Sequence, residues 1–248
     1  MALYVISDTH IKSEKDPFYV SFLEWIEETI KPDDVFVLAG DIFDLFIGTK
    51  TFFNKTYWQF FDILEKKINE GSVVYYIEGN HDFYFSRKKF KNINIYTEKL
   101  CLELSGKKFF ISHGDTANQK DYSYQILRFF LRTFPVKFLL YLLPGQFVHT
   151  IGEKWSQLSR KRNTLQGEFI PVSKVENLRK IYRNFAVDKL LSGYDFVIMG
   201  HCHDNDEIEF CIEDRLGQYI NVGYPKIHSK YLFWQEGQKK ILRKDLNF

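Results

Sequence analysis

The sequence predicts an α/β fold in which mixed β-structure is sandwiched by helices. Two patterns predict it. Apolar strands and amphipathic helices alternate through the first half, and strand–turn–strand patterns fill the C-terminal tail. A third observation concerns chemistry: several of the apolar strands end in short runs of Asp, His, Asn and Gly.

In chain order, residues 3–7 read as a short buried strand. Asp16 supplies a helix N-cap and Pro17 a first helical residue. Phe18, Phe22, Trp25, Ile26 and Ile30 follow at helical spacing and form one apolar face. Residues 35–39 are a second buried strand, 57–70 a helix, 73–77 a third strand, and 108–112 a fourth that closes on His113. Beyond a long middle section, 173–191 is a helix stopped by Gly193, and 196–199 is a further strand. The tail (207–212, 218–222, 231–234, 239–243) reads as antiparallel strands with turns at 215–217 and 236–237. No repeat, low-complexity tract or flexible linker divides the chain, so residues 1–248 read as one domain.

The middle section, 116–171, differs in kind. Its stretch 126–148, ILRFFLRTFPVKFLLYLLPGQFV, sets basic residues into an apolar run. Across the section, Lys120, Arg128, Arg132, Lys137, Lys154, Arg160, Lys161 and Arg162 stand against Asp121, Glu153 and Glu168. Eight against three is a net of +5, while the whole chain is only +2. The section reads as an inserted helical cap. Two further core helices are the plainer alternative.

Composition narrows the class. Hydrophobic residues make up 45% and charged residues 27%, as in ordinary folded proteins. Aromatics are in excess at 18%, with 25 Phe, 15 Tyr and 4 Trp, which excludes a disordered or collagenous chain. The near-balanced charge gives no argument for a nucleic-acid partner. Cys101, Cys202 and Cys211 follow no CxxC spacing and suit a reducing compartment, so the cytoplasm is expected. No secretion signal is recognisable at the start. The longest charge-free apolar stretch, 138–152, is broken by Pro144 and Gly145 and falls short of the ~20 residues a spanning helix needs.

Five motifs carry the chemistry: Asp8-Thr9-His10, Gly40-Asp41-Ile42-Phe43-Asp44, Gly79-Asn80-His81-Asp82, His113-Gly114-Asp115 and Gly200-His201-Cys202-His203. Each closes a predicted strand, where loops of layered α/β proteins converge on one crevice. Side chains two apart in extended backbone point the same way, which makes Asp8 with His10, and His201 with His203, chelating pairs. Five of the seven histidines lie inside these motifs; His149 and His228 do not. Singly, each motif is a turn or a hydrogen-bonded strand end. Together they form a metal site whose carboxylate, imidazole and amide donors suit Mn²⁺, Fe²⁺ or Zn²⁺.

This set resembles the calcineurin-like metallophosphoesterase superfamily, with its D-x-H, G-D-x-x-D, G-N-H-D, strand-end H and G-H-x-H motifs, over residues 8–203. The resemblance implies an αββα sandwich of two mixed β-sheets and two divalent cations, Mn²⁺ first among them. Asp8, His10, Asp41 and His203 would hold one cation, and Asp41, Asn80, His113 and His201 the other, with Asp41 shared. Two cations ~3.5–4 Å apart acidify a bridging water and clamp the phosphoryl oxygens of an in-line displacement. His81 is then free to protonate the leaving oxygen, with Asp41 and Asp82 as its catalytic companions. Asp82 would orient His81; for Asp44, Asp82 and Asp115 a role as loop hydrogen-bond acceptor stands equally.

The cap narrows the resemblance. Asp115-Thr116, Asp121, Tyr124-Gln125 and the later Ser159 and Asn163 are similar to the UDP-2,3-diacylglucosamine hydrolases of lipid A biosynthesis, whose cap shelters acyl chains. That similarity implies Asn80, His81, Asp121, Tyr124, Ser159, Asn163, Gln166 and His201 as substrate-side residues. The implied substrate is a lipid-linked UDP-sugar, met by a monomer peripheral to the inner membrane. Two positions depart from that family: His81 stands where its best-known branch has Arg, and Gln166 where it has Lys. A phosphodiesterase or phosphatase for soluble substrates is the alternative, and a non-catalytic scaffold a third reading. The aromatics of 43–61 and of 126–151 are expected to face each other across an acyl-chain cleft, against the alternative of packing on the body.

Overall fold

The computed structural model describes residues 1–152, 172–212 and 215–247. Its framework is two mixed sheets packed face to face with helices on both outer faces, the expected αββα sandwich. The first sheet is formed by β1 (Ala2–Ile6), β2 (Val35–Leu38), β4 (Val73–Ile77), β6 (Asn94–Tyr96), β12 (Lys230–Gln235) and β13 (Leu242–Asp245), in the order β13-β12-β1-β2-β4-β6. The second has the order β10-β11-β9-β8-β7, from β7 (Lys99–Leu104), β8 (Lys107–Ser112), β9 (Phe196–Met199), β10 (Glu207–Ile212) and β11 (Arg215–Asn221). A two-stranded parallel pair, β3 (Phe46–Ile47) and β5 (Asp82–Phe83), ties two of the motif loops together.

Strands buried on both faces read as continuous apolar runs, as central parallel strands do. Leu3, Val5, Val35 and Val37, with Trp234 of the same sheet, point between the sheets at Phe109, Ile111, Phe196 and Ile198. Helix α1 (Pro17–Thr29) starts where predicted, with the Asp16 side chain accepting from the Phe18 amide at 3.1 Å, and buries Tyr19, Phe22, Trp25 and Ile26 on the first sheet. The predicted helix 57–70 is α3 (Trp58–Asn69), and a short helix that was not predicted, α2 (Thr51–Thr56), precedes it, parted from it at Tyr57, whose backbone leaves the helical region. Helix α7 (Val172–Leu191) covers the second sheet through Tyr182, Ala186 and Leu190. In the tail, the register pairs Ile212 with Arg215, so 215–217 is strand where a turn was expected, and the last strand lies at Leu242–Asp245 rather than 239–243. The turn at 236–237 stands, with Gly237 at a φ of 87°.

The section after His113 carries α4 (Tyr122–Leu131), α5 (Phe134–Leu142) and helical residues 145–152, α6. Neither α4 nor α5 has a buried residue. Phe129, Phe130, Phe134, Phe138, Tyr141 and Leu142 are all more than half exposed. These helices are therefore not core. The other aromatic cluster is core: Phe43, Phe46, Phe53, Tyr57, Phe60 and Phe61 are buried under the first sheet, with Phe43 and Tyr57 centroids only 4.2 Å apart. The expectation of a cleft between the two clusters is corrected accordingly. Rings at 43–61 close over the sheet because only there can so much apolar area leave water.

The helices after His113 meet the rest of the chain at discrete ties. Arg128 Nε donates to Asp115 at 2.8 Å, Arg132 to the Thr97 carbonyl at 3.1 Å, and Lys50 Nζ to the Tyr141 carbonyl at 2.8 Å. Phe52 stacks obliquely on His149, and Leu140, Leu143 and Val148 join the core edge.

Candidate metal centre

Five strand ends build the site. β1, β2 and β4 are neighbours in one sheet and β8 and β9 in the other, so all five motif loops leave the C-terminal ends of parallel strands beside one another. The backbone there is not extended. Asp8, His10, Asp41, His201 and His203 have φ of 55°, 43°, 54°, 69° and 56°. Left-handed backbone costs a non-glycine residue about 1–3 kcal/mol, and it persists only where neighbours over-determine it. Here the Asp8 amide donates to Gly40 O and the His10 amide to Asp41 O, both at 3.0 Å. The His201 amide donates to the Asp8 carboxylate at 3.0 Å, which ties the two sheets' loops together. The alternation argument is thus corrected: because the turns are tight, His201 and His203 part company and enter different groups.

One group is Asp8, His10 and His203, with Asp8 Oδ1 3.2 Å and His10 Nε2 3.0 Å from His203 Nε2. The second is Asp41, His113 and His201. Asn80 Oδ1 completes it, 3.1 Å from His113 Nε2 and 2.9 Å from His201 Nδ1. One oxygen, Asp41 Oδ2, faces both groups, 3.9 Å from His10 and 3.3 Å from His113. All seven residues expected as ligands are therefore brought together, with Asp41 between the two halves.

The electrostatics ask for cations. Burial alone would push His113 down, yet Asp41, Asp8 and Asp115 around it raise it well above its ordinary value. Burial opposes ionisation of Asp8 and Asp41 too, but the neighbouring imidazoles hold both carboxyls below the usual range. His201 is pushed down to about 4 by burial and by His113. Paired imidazole nitrogens 3.0 and 3.2 Å apart, with carboxylates beside them, form two nitrogen–oxygen donor sets that fit divalent metal ions. His113 Nδ1 sits 3.1 Å from the Ala39 carbonyl, which can only accept, so Nδ1 carries a proton in either charge state and Nε2 is the nitrogen that faces the site. Asp44 Oδ1 faces His10 Nδ1 at 3.7 Å, on the ring edge opposite the group it joins.

Two glycines permit this closeness. A Cβ on Gly79 would lie 2.1 Å from Asp41 Oδ1, and one on Gly200 would lie 2.3 Å from Asp8 Oδ2. Asp82 has the loop-acceptor role. Its carboxylate receives the amides of Asp41, Gly79 and Ile42 and the hydroxyl of Tyr76, at 2.5–2.9 Å. The expectation that it orients His81 is corrected: adjacent β2 and β4 place two turns side by side, and their unpaired amides converge on this one carboxylate. His81 is held instead by Asp44, whose carbonyl lies 2.7 Å from Nδ1, which leaves Nε2 to exchange protons.

Of the substrate-side residues, Tyr124 lies at the site, its ring 5.6 Å from that of His201 and its hydroxyl on Asp115 at 2.8 Å. Asp121 is exposed and acts as the N-cap of α4, accepting from the Tyr124 amide at 3.0 Å. Ser159, Asn163 and Gln166 lie outside the described residues. Sequence reasoning missed Asn221, which donates to the Gly200 carbonyl at 2.9 Å, and the Arg179–Asp204 and Arg183–Asp206 pairs that brace the loop after His203. It also missed Tyr224, stacked on His203. The signal available for Asn221 and Tyr224 was Asn-x-Gly-Tyr at the end of one more predicted strand.

Fold and site together define a phosphoester hydrolase built around metal ions. A calcineurin-like phosphoesterase profile matches residues 1–219, and the chain belongs to that family. It is a metal-dependent hydrolase. More particularly, it is 25% identical over 251 residues to a protein of Psychromonas ingrahamii named UDP-2,3-diacylglucosamine hydrolase, covering 100% of this chain and 99% of that one. A protein of the same name from Aeromonas salmonicida is 24% identical over 99% of this chain and 94% of its own. One from Photorhabdus laumondii is 27% identical over 78% and 81%. Among solved structures, an archaeal phosphodiesterase aligns over 99% of both chains at 17% identity and a TM-score of 0.43. Among the described residues, no helix is long and apolar enough to cross a membrane.

Proposed function

We propose that this chain hydrolyses the pyrophosphate bond of UDP-2,3-diacylglucosamine, releasing UMP and 2,3-diacylglucosamine 1-phosphate, with two Mn²⁺ held by Asp8, His10, Asp41, Asn80, His113, His201 and His203. The observation that carries the substrate is the unburied apolar surface of α4 and α5, joined to the motif loops through Arg128 and Asp115. Full-length similarity to proteins of that name supports it.

Bound cations supply Lewis acidity, lowering the pKa of a coordinated water and screening the phosphoryl charge. The chain's own residues do the rest. Asp41 presents one oxygen to both halves of the site. Asp82 and the glycines hold the loops at that spacing. His81, whose Nδ1–H donates to Asp44 O, would in its imidazolium form give the Nε2 proton to the leaving oxygen and be left as the neutral Nδ1–H imidazole. The cap lies against the cytoplasmic face of the inner membrane and receives the acyl chains, each buried methylene contributing ~0.8 kcal/mol. Apolar contact dominates this docking, because Arg128 and Arg132 turn back to the body.

The direct test is Mn²⁺-loaded protein given UDP-2,3-diacylglucosamine and, separately, a water-soluble phosphodiester. Release of UMP in preference to hydrolysis of the soluble ester is expected, and the reverse preference would sink the substrate assignment. His81 favours a second reading, a phosphodiesterase or phosphatase for soluble substrates, since it stands where the best-known hydrolase branch has Arg. Activity stimulated by detergent micelles or liposomes separates the first reading from this one.

A further inference from the structure

The C-terminal part of the chain sends a second element to the metal centre. After β11 the chain turns at Gly223, with φ of 85°, into the short helix α8 (Pro225–His228). The Tyr224 ring stacks on the imidazole of His203, centroids 4.9 Å apart and planes 14° from parallel, and lies 6.0 Å from His10. The Tyr224 amide donates to His228 Nδ1 at 2.9 Å, which fixes the turn that carries the ring. Two residues on, Lys226 Nζ donates to the His10 carbonyl at 3.0 Å and to Asp16 Oδ2 at 2.5 Å, above the Phe18 ring. His10 is left-handed, and Lys226 holds its carbonyl while the Asp41 carbonyl holds its amide. Both grips fall on one group, Asp8–His10–His203. The other group meets a different tyrosine, Tyr124 of α4.

We infer that Tyr224 and Lys226 are positioning residues for one of the two cations, the one held by Asp8, His10 and His203, so that the two sites are tuned by separate parts of the chain. Tyr224 sets the plane of the His203 ring and Lys226 the backbone of His10. Groups that orient metal ligands in this way change metal affinity by about 10–100-fold when removed. The inference rests on the two-cation reading of the site.

The test is equilibrium dialysis of the metal-free full chain against Mn²⁺ alone, comparing wild type with Tyr224→Ala, Tyr224→Phe and Lys226→Met. Wild type should take up two ions per chain. Tyr224→Ala and Lys226→Met should each weaken one ion by about 10–100-fold and leave the other unchanged, while Tyr224→Phe, which keeps the stacked ring, should match wild type. Unchanged uptake by Tyr224→Ala and Lys226→Met, or equal weakening of both ions, would overturn the inference. Wild type that takes up fewer than two ions overturns the two-cation reading first, and is seen without any variant. If Tyr224→Ala does not fold, Lys226→Met carries the same test through a different atom.

Discussion

At the scale of single residues, one carboxylate stands between two donor sets. Asp41 Oδ2 faces His10 on one side and His113 on the other. Asp41→Ala is expected to abolish metal-dependent phosphoester hydrolysis while leaving a folded chain, checked by Mn²⁺-supported turnover beside circular dichroism. Retained turnover would refute the shared-carboxylate arrangement. Gly79→Ala reaches the same carboxylate from outside, since a Cβ there would sit 2.1 Å from Asp41 Oδ1. Its expected outcome is loss of bound Mn²⁺, measured by metal analysis after gel filtration, and a variant that binds Mn²⁺ as wild type does would show that the loop can yield. The seven residues that the fold brings together were legible in the sequence as candidate ligands, through five motifs and the resemblance those motifs carry. Asp82 was legible only as one of two alternatives, of which the loop acceptor is the one observed, and Tyr224 was not legible at all. Whether an aspartate collects loop amides, or a tyrosine covers a histidine, depends on which turns meet in space. The left-handed backbone of the motif loops was hidden for the same reason, since nothing in Asp-Thr-His forbids an extended segment.

At the scale of elements, periodicity located α1 and the central strands because each has an apolar face that matches its geometry. It misassigned the two aromatic clusters, because apolar count does not say which surface covers an element. The 43–61 rings found the open face of the first sheet. The α4–α5 rings are left in solvent among the described residues: Phe130, Phe134 and Phe138 are 58%, 78% and 52% exposed. Replacing these three with Gln should barely alter the melting temperature, since exposed substitutions usually stay within about 0.5 kcal/mol each. The same variant should lose activity on the diacylated substrate while hydrolysing a soluble phosphodiester as wild type does. Equal loss on both substrates would remove the cap from substrate selection, and a large fall in melting temperature would return these helices to the core.

At the scale of the whole molecule, the fold holds several buried phenols, and their burial predicts a loss of stability at alkaline pH. Tyr19, Tyr57, Tyr76, Tyr182 and Tyr219 lie within the helix-facing cores, and Tyr4 joins Trp25, Tyr231 and Phe233 on the outer face of the first sheet. Burial, aided by Asp34, pushes Tyr4 up to about 12, and burial pushes Tyr19 up to about 12. Burial raises Tyr76 and Tyr182 further. An unfolded tyrosine ionises near 10. Between pH ~10 and ~12 the unfolded chain therefore sheds protons that the folded chain keeps, and stability falls as pH rises. The contribution of these phenols is complete below about 10 and is lost as pH climbs through the folded values. In metal-free protein, phenolate absorbance from the buried rings and loss of far-ultraviolet circular dichroism should therefore arrive together, as one cooperative transition above pH ~10. Tyr4→Phe, which removes one of these protons and keeps the ring, should move that transition to higher pH. Phenols that titrate smoothly near 10 while the dichroism is unchanged would mean that the cores admit hydroxide without unfolding, and would separate the burial of these rings from the stability of the sandwich.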